Sequence, residues 1–379
     1  MPIRVLHLID SLVRGGAEQQ LVNLLQAYDP KEVSSTVVTL VDHMHLAGPL
    51  HSIGIPIHTL GLRRAREWPL ALGALYRLMR EIRPDVLHTR LAYAGIMGQT
   101  VATLWRRARV VSSVEAPVYS DEVWDDTVGA RRWKLELVRV TELVTSRLSG
   151  STYVACSKSV ARSIQSALHL PDRRLRVIYN STSVADGDGE PAAAPVPAPG
   201  GATLLTVGRL SPQKGQVYLL RAMPLVLERC PATLLQIVGK GPQEDMLRRE
   251  CEKLGITGSV AFLGERDDVG SLLRQADIFV LPSLWEGLSI AALEALAAGL
   301  PIVASDIPSM QEVVEAGVQG VLVEPKRPER LADAILRLLQ DPSERRCLAT
   351  AARKRALEHF DVSVAAREFE GMYRALVGA

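Results

Sequence analysis

The sequence predicts an α/β protein built from two doubly wound units, each a parallel sheet with helices on both faces. Three observations carry that expectation. Short apolar runs of strand length alternate with longer helical patterns from the N-terminus to about residue 180. A stretch rich in Pro, Gly and Ala, DGDGEPAAAPVPAPGG at 186–201, then breaks the alternation and reads as a linker. The alternation restarts at Thr203 and closes in a helical stretch, 343–377, that no strand follows. A chain of 379 residues, 47% of them apolar, is long enough for two domains with large cores, and 23% charged residues give an ordinary surface.

In the first half, apolar runs predict strands at 5–9, 36–41, 57–60, 86–89, 110–114, 153–156 and 176–178. Helical patterns lie between them at 18–28, 69–82, 94–105, 133–148 and 159–168. In the second half the strands are expected at 203–207, 234–238, 260–262, 278–281, 302–304 and 321–323. The helices there fall at 217–229, 243–254, 269–275, 288–298 and 329–339. Repeated strand–helix alternation of this kind makes a parallel sheet covered on both faces. Open α/β sheets bind ligands at the carboxyl ends of their strands, so two units facing each other would gather both sets of ends at a central cleft. His7 and His58 lie in apolar strands and read as core residues.

Composition excludes several classes. The opening MPIRVLHLIDSL has a five-residue apolar run before Asp10, which reads as a buried first strand and not as a signal peptide. No window offers about 20 uninterrupted apolar residues for a membrane span. The four cysteines show no C-x-x-C spacing, so neither a zinc site nor a disulfide framework is expected, and Cys156, Cys230 and Cys347 read as small core residues in a reducing cytosol. The net charge of +2 hides an asymmetry: residues 1–180 hold 23 Lys/Arg against 16 Asp/Glu, and residues 181–379 hold 21 against 26. Basic clusters at 63–66 (RRAR), 106–109 (RRAR) and 131–134 (RRWK), beside Trp68, Trp105 and Trp133, suit an anionic acceptor or an anionic membrane surface. No nucleic-acid module is recognisable, so nucleic acid is not an expected partner. No D-x-D run or histidine cluster outside the linker suggests a metal.

The chemistry concentrates in LPSLWEGLSIAALEALAAGLPIVAS, 281–305. Its apolar strand leads through turn residues 282–287 into an Ala/Leu-rich helix. A glycine just before a helix lets a ligand approach the backbone closely, and the first-turn N–H groups then bind phosphate. Glu286 stands at the mouth of this turn, and Glu294 about 9 Å along the helix at ~1.5 Å per residue, so one carboxylate can reach a sugar and the other a nucleoside ribose. Upstream, Val207-Gly208-Arg209 ends a strand and Lys214 follows after a turn. Two cations there would neutralise a diphosphate that gains charge as its sugar leaves, Arg as a bidentate clamp and Lys as a point charge.

These pieces resemble, in order, the retaining glycosyltransferases of family 4: GGAE at 15–18, VGRLSPQKG at 207–215, GKGP at 239–242, FLGERDDV at 262–269, the E-x7-E pair Glu286 and Glu294, and a terminal helix after Phe360. The resemblance implies a GT-B fold of two Rossmann-like domains facing a central cleft. Residues 1–182 form the acceptor-side domain and 203–359 the nucleotide-sugar domain, with 183–202 as linker. A crossover helix at about 360–379 returns to the first domain. It assigns Glu294 to the ribose hydroxyls, Glu286 to a hydroxyl of the transferred sugar, and the backbone of Gly287, Leu288 and Ser289 to the sugar and distal phosphate. Gly208, Gly239 and Gly241 lie near the nucleotide, Leu263 and Arg266 in the segment that reads the base edge, and Gly15 and Gly16 where a loop approaches the donor diphosphate.

The G-G pair is not a dinucleotide G-x-G-x-x-G, which disfavours a nicotinamide dehydrogenase. One departure stands out: SSVEAP puts Val114 where relatives carry a histidine. Glu115, next in sequence, substitutes for it, or His88 enters the cleft from the preceding strand. The implied activity is sugar transfer with retention from a UDP- or GDP-sugar, a co-substrate with no further cofactor and no metal, to a sugar- or lipid-linked acceptor hydroxyl. Its setting is polysaccharide, glycolipid or cell-envelope glycan synthesis, in the cytoplasm or peripherally at the inner membrane face. The alternatives are a sugar-nucleotide epimerase or hydrolase on the same fold, and a non-catalytic sugar-nucleotide binding protein.

Overall fold

Two parallel sheets organise the chain. A computed structural model describes residues 1–63, 67–120, 123, 132–183 and 201–378; the expected linker at 186–200, Arg64, Arg66 and Arg131 lie outside the described residues. The first sheet contains β1 (Ile3–Ile9), β2 (Val33–Thr39), β3 (Ile57–Thr59), β4 (Val86–Arg90), β5 (Arg109–Val114), β6 (Thr152–Ala155) and β7 (Leu175–Val177), in the order β3-β2-β1-β4-β5-β6-β7. The second contains β8 (Thr203–Val207), β9 (Leu234–Val238), β10 (Val260–Gly264), β11 (Ile278–Leu281), β12 (Ile302–Ser305) and β13 (Gly320–Val323), in the order β10-β9-β8-β11-β12-β13. Each sheet winds outward from its first strand, returns, and continues the other way. The reversal opens a crevice between β1 and β4 in one sheet and between β8 and β11 in the other. Both are doubly wound Rossmann-like units, as the alternation predicts.

The chain separates into two compact units, Met1–Ser181 with Val362–Ala379, and Thr182–Asp361. In the first, β1 shows why apolar residues stand on both faces of a strand. Val5 and Ile9 pack on one side with Leu21 and Leu24 of α1 (Gly16–Ala27), while Leu6 and Leu8 pack on the other with Leu75 and Met79 of α3 (Trp68–Ile82) and Met97 of α4 (Ala92–Leu104). A strand covered on both faces has no polar side. The remaining helices of this part are α2 (Ala47–Ser52), α5 (Arg132–Ser149) and α6 (Lys158–Leu168). The second unit has α7 (Gln216–Arg229), α8 (Glu244–Lys253), α9 (Val269–Gln275), α10 (Ile290–Ala297), α11 (Pro308–Val313), α12 (Pro328–Gln340) and α13 (Pro342–Arg355). Its core joins Leu204, Leu235, Ile278 and Val303 of the sheet to Leu219 and Leu220 of α7 and Ile335 and Leu338 of α12.

The last helix, α14 (Val362–Val377), belongs to the first unit. Phe369, Met372 and Tyr373 are buried in the same core as Val5 and Leu21, the Glu370 carboxylate accepts from Asp29 N at 2.8 Å, and Arg374 pairs with Glu32 at 3.0 Å. A wide five-residue turn, Ala356–Phe360, separates it from α13. The turn is held by the buried Phe360 and by the Arg355 guanidinium, which donates to the carbonyls of Val313 (2.7 Å) and Glu312 (2.8 Å).

Several expectations need correction. The six-residue helices α2 and α11 were not foreseen. His58 is exposed, because β3 is a three-residue edge strand that among the described residues pairs with β2 alone. Cys347 is exposed on α13 and Cys230 only partly buried, while Cys156 is buried as expected. The helix carrying Glu294 starts at Ile290, two residues later than the periodicity suggests, because Ser289 caps it.

Candidate active site

In the second unit, the loops leaving β8, β9, β10 and β11 are neighbours along the carboxyl edge, because those four strands are adjacent. Two glycines set their spacing. Gly239 follows β9 at φ 126, and a Cβ there would lie 2.1 Å from the Gly208 carbonyl oxygen. Gly215, at φ 62, would place a Cβ 2.2 Å from the carbonyl oxygen of Pro282. Only glycine permits such approach. Backbone hydrogen bonds then stitch the loops: Leu210 N donates to Lys240 O at 3.0 Å, Gly239 N to Gly264 O at 2.7 Å, and Leu284 N to Gln213 O at 2.7 Å. Gly241 sits within this weave, between Lys240 and the Gln243 N that donates to Leu210 O at 3.0 Å.

At the crevice between β8 and β11, Lys214 Nζ meets Glu286 Oε1 at 2.6 Å, and Ser283 Oγ donates to the same oxygen at 2.7 Å. Glu286 is buried; its other oxygen has no partner among the described residues. Arg209 is exposed just after β8, and its guanidinium has no partner among the described residues. Gly287, Leu288 and Ser289 are buried ahead of α10, where the Ser289 hydroxyl accepts from Ala292 N at 3.4 Å. Farther along α10, Glu294 is partly buried with no side-chain partner among the described residues, and burial pushes its carboxyl up to about 7. A partnerless carboxyl in an apolar setting is uncommon for a structural residue and suits one that waits for a ligand. Leu263 is partly buried in β10. The Arg266 side chain is held by Asp268, Nε to Oδ1 and Nη2 to Oδ2, both at 2.7 Å.

The first unit carries the other expected residues. Gly15 and Gly16 open α1 after β1, and Glu18 folds back so closely that a Cβ on Gly15 would lie 2.3 Å from its Oε2. Glu18 is buried, and burial raises its pKa. Glu115, just past β5, forms a 2.8 Å ion pair with Arg90 at the end of β4, with side chains 10% and 1% exposed. Burial pushes the Glu115 carboxyl up, while Arg90 and Asn180 pull it down.

His88 does not open onto a crevice. It has no exposed surface; Nδ1 lies 2.6 Å from the Tyr373 hydroxyl and Nε2 2.7 Å from Ser113 Oγ. Burial and the nearby Arg90 hold its pKa well below the usual histidine range. The expectation that it enters the site gives way to a core role, joining α14 to the first sheet.

Sequence reasoning missed Ser283, Arg90 and Asp10. Ser283 lies inside the quoted motif and bonds Glu286. Arg90 was legible only as a charge ending an apolar strand; its Nε and Nη2 are buried without hydrogen-bond partners among the described residues. Asp10, at the end of β1, accepts from Ala94 N at 2.9 Å, and burial pushes its pKa up to about 6.

Sheets of this order, with a carboxylate–cation cluster at the reversal of the second, define a doubly wound class of α/β protein. The model of the glycosyl transferases group 1 matches residues 193–355, and that of Glycosyltransferase Family 4 matches residues 14–185. The chain belongs to this family of GT-B glycosyltransferases. An uncharacterized glycosyltransferase of Methanocaldococcus jannaschii is 34% identical over 250 residues, covering 59% of this chain and 61% of that one. The chain thus spans about three-fifths of that relative's length. The UDP-Gal:alpha-D-GlcNAc-diphosphoundecaprenol alpha-1,3-galactosyltransferase of Escherichia coli is 27% identical over 282 residues, covering 72% of this chain and 70% of that one. Among solved structures, Anabaena HepE in complex with UDP-glucose superposes with a TM-score of 0.83 at 21% identity, covering 98% of this chain and 100% of that one.

Proposed function

We propose that the chain transfers a sugar, with retained anomeric configuration, from a nucleotide-sugar to an acceptor hydroxyl. The observation that carries this reading is the cluster at the β8–β11 crevice, where Lys214, Glu286 and Ser283 are locked together beside the exposed Arg209. Residues 203–359 hold the donor in this reading, and residues 1–182 with the returning helix face the acceptor. Arg209 and Lys214 take the diphosphate, the backbone of Gly287, Leu288 and Ser289 the distal phosphate and sugar, and Glu286 a sugar hydroxyl. Glu294 accepts from the ribose diol. Gly208, Gly239 and Gly241 leave room for the nucleotide, Leu263 and Arg266 flank the base, and Gly15 and Gly16 approach the diphosphate.

In the reaction the bond from the anomeric carbon to the diphosphate oxygen breaks and a bond from the acceptor oxygen forms on the same face. The acceptor proton passes to the departing phosphate. Charge grows on the diphosphate as the bond breaks, so fixed cations beside it stabilise the transition state more than the ground state. No strong protein base is then required, which accommodates a first unit where His88 is sealed and Glu115 is tied to Arg90. Two cations in place of a metal make turnover indifferent to a chelator in this reading.

The donor is a UDP- or GDP-sugar. UDP is favoured by the likeness to HepE, crystallised with UDP-glucose, and a lipid-linked acceptor by the likeness to the galactosyltransferase of a diphosphoundecaprenol substrate. Among the described residues no helix is long and apolar enough to cross a membrane, and we place the chain at an anionic, inner membrane face.

A thermal-shift panel of UDP-, GDP- and ADP-sugars tests the donor assignment. A true donor at 100 times its dissociation constant adds about 2.7 kcal/mol of stability. NMR of the product from that donor then reports the anomeric configuration. An inverted product, or a panel without any response, removes the proposal.

A further inference from the structure

Helix α5 turns its polar side inward. Its buried positions are Glu142 and Ser146, whereas Trp133, Leu137, Val140, Val144 and Leu148 are 62%, 58%, 42%, 50% and 65% exposed. At about 100° per residue these five fall within an arc of roughly 80°, a stripe about 22 Å long. The rotation of the helix is fixed by its inner side. The Glu142 carboxylate accepts from the Tyr119 hydroxyl at 2.6 Å and the Tyr153 hydroxyl at 3.1 Å, and Thr145 donates to Gln99 Oε1 at 2.6 Å. The outward apolar face is therefore a feature of the set position and not a slipped core face. Five large side chains in one exposed row exceed the scattered apolar residues of an ordinary surface.

Among the described residues, basic side chains flank the stripe at both ends. Lys134 stacks on the Trp133 ring, 5.6 Å from its centroid, and Arg132 is exposed one residue before it. At the other end Arg147 is exposed, and Arg174 donates to the Ser146 carbonyl at 2.6 Å beside the exposed Arg173. Among the described acids nearby, Glu136 is engaged by Arg139, Glu142 is buried, and Asp172, exposed beside Arg173, accepts from Gln165 Nε2 at 2.6 Å. The expected docking tryptophans differ from one another. Trp68 and Trp105 are partly buried against Tyr93 (6.4 Å) and Tyr76 (6.1 Å), which leaves Trp133 as the one of the three that faces out.

We propose that this face of α5 docks on an anionic phospholipid surface, its apolar row at the headgroup–acyl boundary and its flanking cations among the lipid phosphates. A second copy of the chain is the competing occupant. A two-fold pairing of the row on itself would set cations against cations at both ends, whereas an anionic bilayer neutralises both. The inference deepens the membrane-face reading above, and its test is binding alone, so failure of the transferase chemistry would leave it standing.

The full chain is sedimented with vesicles of phosphatidylcholine alone and of phosphatidylcholine with phosphatidylglycerol. The wild type should bind the anionic vesicles at low salt, release at high salt, and lose about tenfold or more of its affinity on Leu137→Ser with Val144→Ser. Quenching of tryptophan fluorescence by brominated lipid should fall in Trp133→Phe. All substituted positions are exposed, so unchanged melting temperatures and an unchanged response to nucleotide-sugar report intact folding. Equal binding to both vesicle types, no binding to either, or binding that survives the double substitution overturns the proposal. So does a wild-type dimer that the double substitution converts to a monomer without any vesicle affinity.

Discussion

Glu294 stands partly buried in α10 without a partner among the described residues, its carboxyl lifted to about 7 by burial. A carboxyl whose folded pKa exceeds its unfolded value binds its proton more tightly in the fold. The contribution of this group to stability is then fully present below about pH 4.5, is lost as pH rises from there through about 7, and by pH 8 is smaller by up to about 3 kcal/mol. Glu294→Gln should accordingly raise the melting temperature at pH 8 and leave it unchanged near pH 4. If the carboxylate grips a ribose, the same change should weaken nucleotide-sugar binding about tenfold, the loss of one charge-assisted interaction. Calorimetry that finds donor affinity intact would take Glu294 out of the site. For Arg209→Ala and Lys214→Ala, kcat should fall by about 10²-fold or more with a smaller rise in KM, because both cations act most on charge that develops late; a rise in KM alone would make them ground-state binders. Lys214 and Glu286, which the structure brings within 2.6 Å of each other, could be singled out because each follows shortly after a strand in sequence. The sealing of His88 was not legible: its neighbours are His7 across the β1–β4 ladder, Val111 across β4–β5, and Tyr373 from the chain's last helix. Spacing along a strand says nothing about which strand lies beside it.

At the scale of elements, the strand runs were readable because a strand buried on both faces is mostly apolar: β11 is apolar and buried at every position, β9 is buried throughout with Gln236 its polar residue, and β1 is buried except at Arg4. Helices α2 and α11, six residues each, span too few turns to show a period. The order of the strands, with its reversal at β8 and β11, leaves no mark in the alternation either, although it decides that the Lys214 and Glu286 loops are neighbours. What does leave a mark is glycine at a turn. Gly239→Ala would drive a methyl to 2.1 Å from the Gly208 carbonyl oxygen at a φ of 126. The cost should be about 1–3 kcal/mol or more of stability, and because the displaced strand exit carries Arg209, the response to nucleotide-sugar should fall with it. Gly258→Ala, where a Cβ meets nothing within 4 Å, is the matched control and should be close to neutral. Equal melting temperatures for the two variants would show that the β9 turn yields without strain.

For the whole molecule, the instructive feature is a first unit completed by the last residues of the chain. Periodicity marks 362–377 as helical but is silent on which sheet receives it; only the family resemblance suggested the return. In the structure, α14 puts Phe369, Met372 and Tyr373 into the core of the first unit and closes the hydrogen bond to His88 Nδ1. Burying three side chains of that size is worth roughly 5–9 kcal/mol, which is comparable to the whole stability of an ordinary domain. Among the described residues the buried core of the second unit ends at Phe360, and no residue of α14 joins it. Ending the chain after Asp361 should therefore unfold the first unit and spare the second. Hydrogen exchange read by mass spectrometry would show amides of β1, β4 and β5 exchanging freely while those of β8, β9 and β11 keep their protection. The full chain provides the reference. Loss of protection in both sheets together would mean that the two units fold as one cooperative body, and unchanged protection in β1 and β4 would mean that α14 contributes little to the core it occupies.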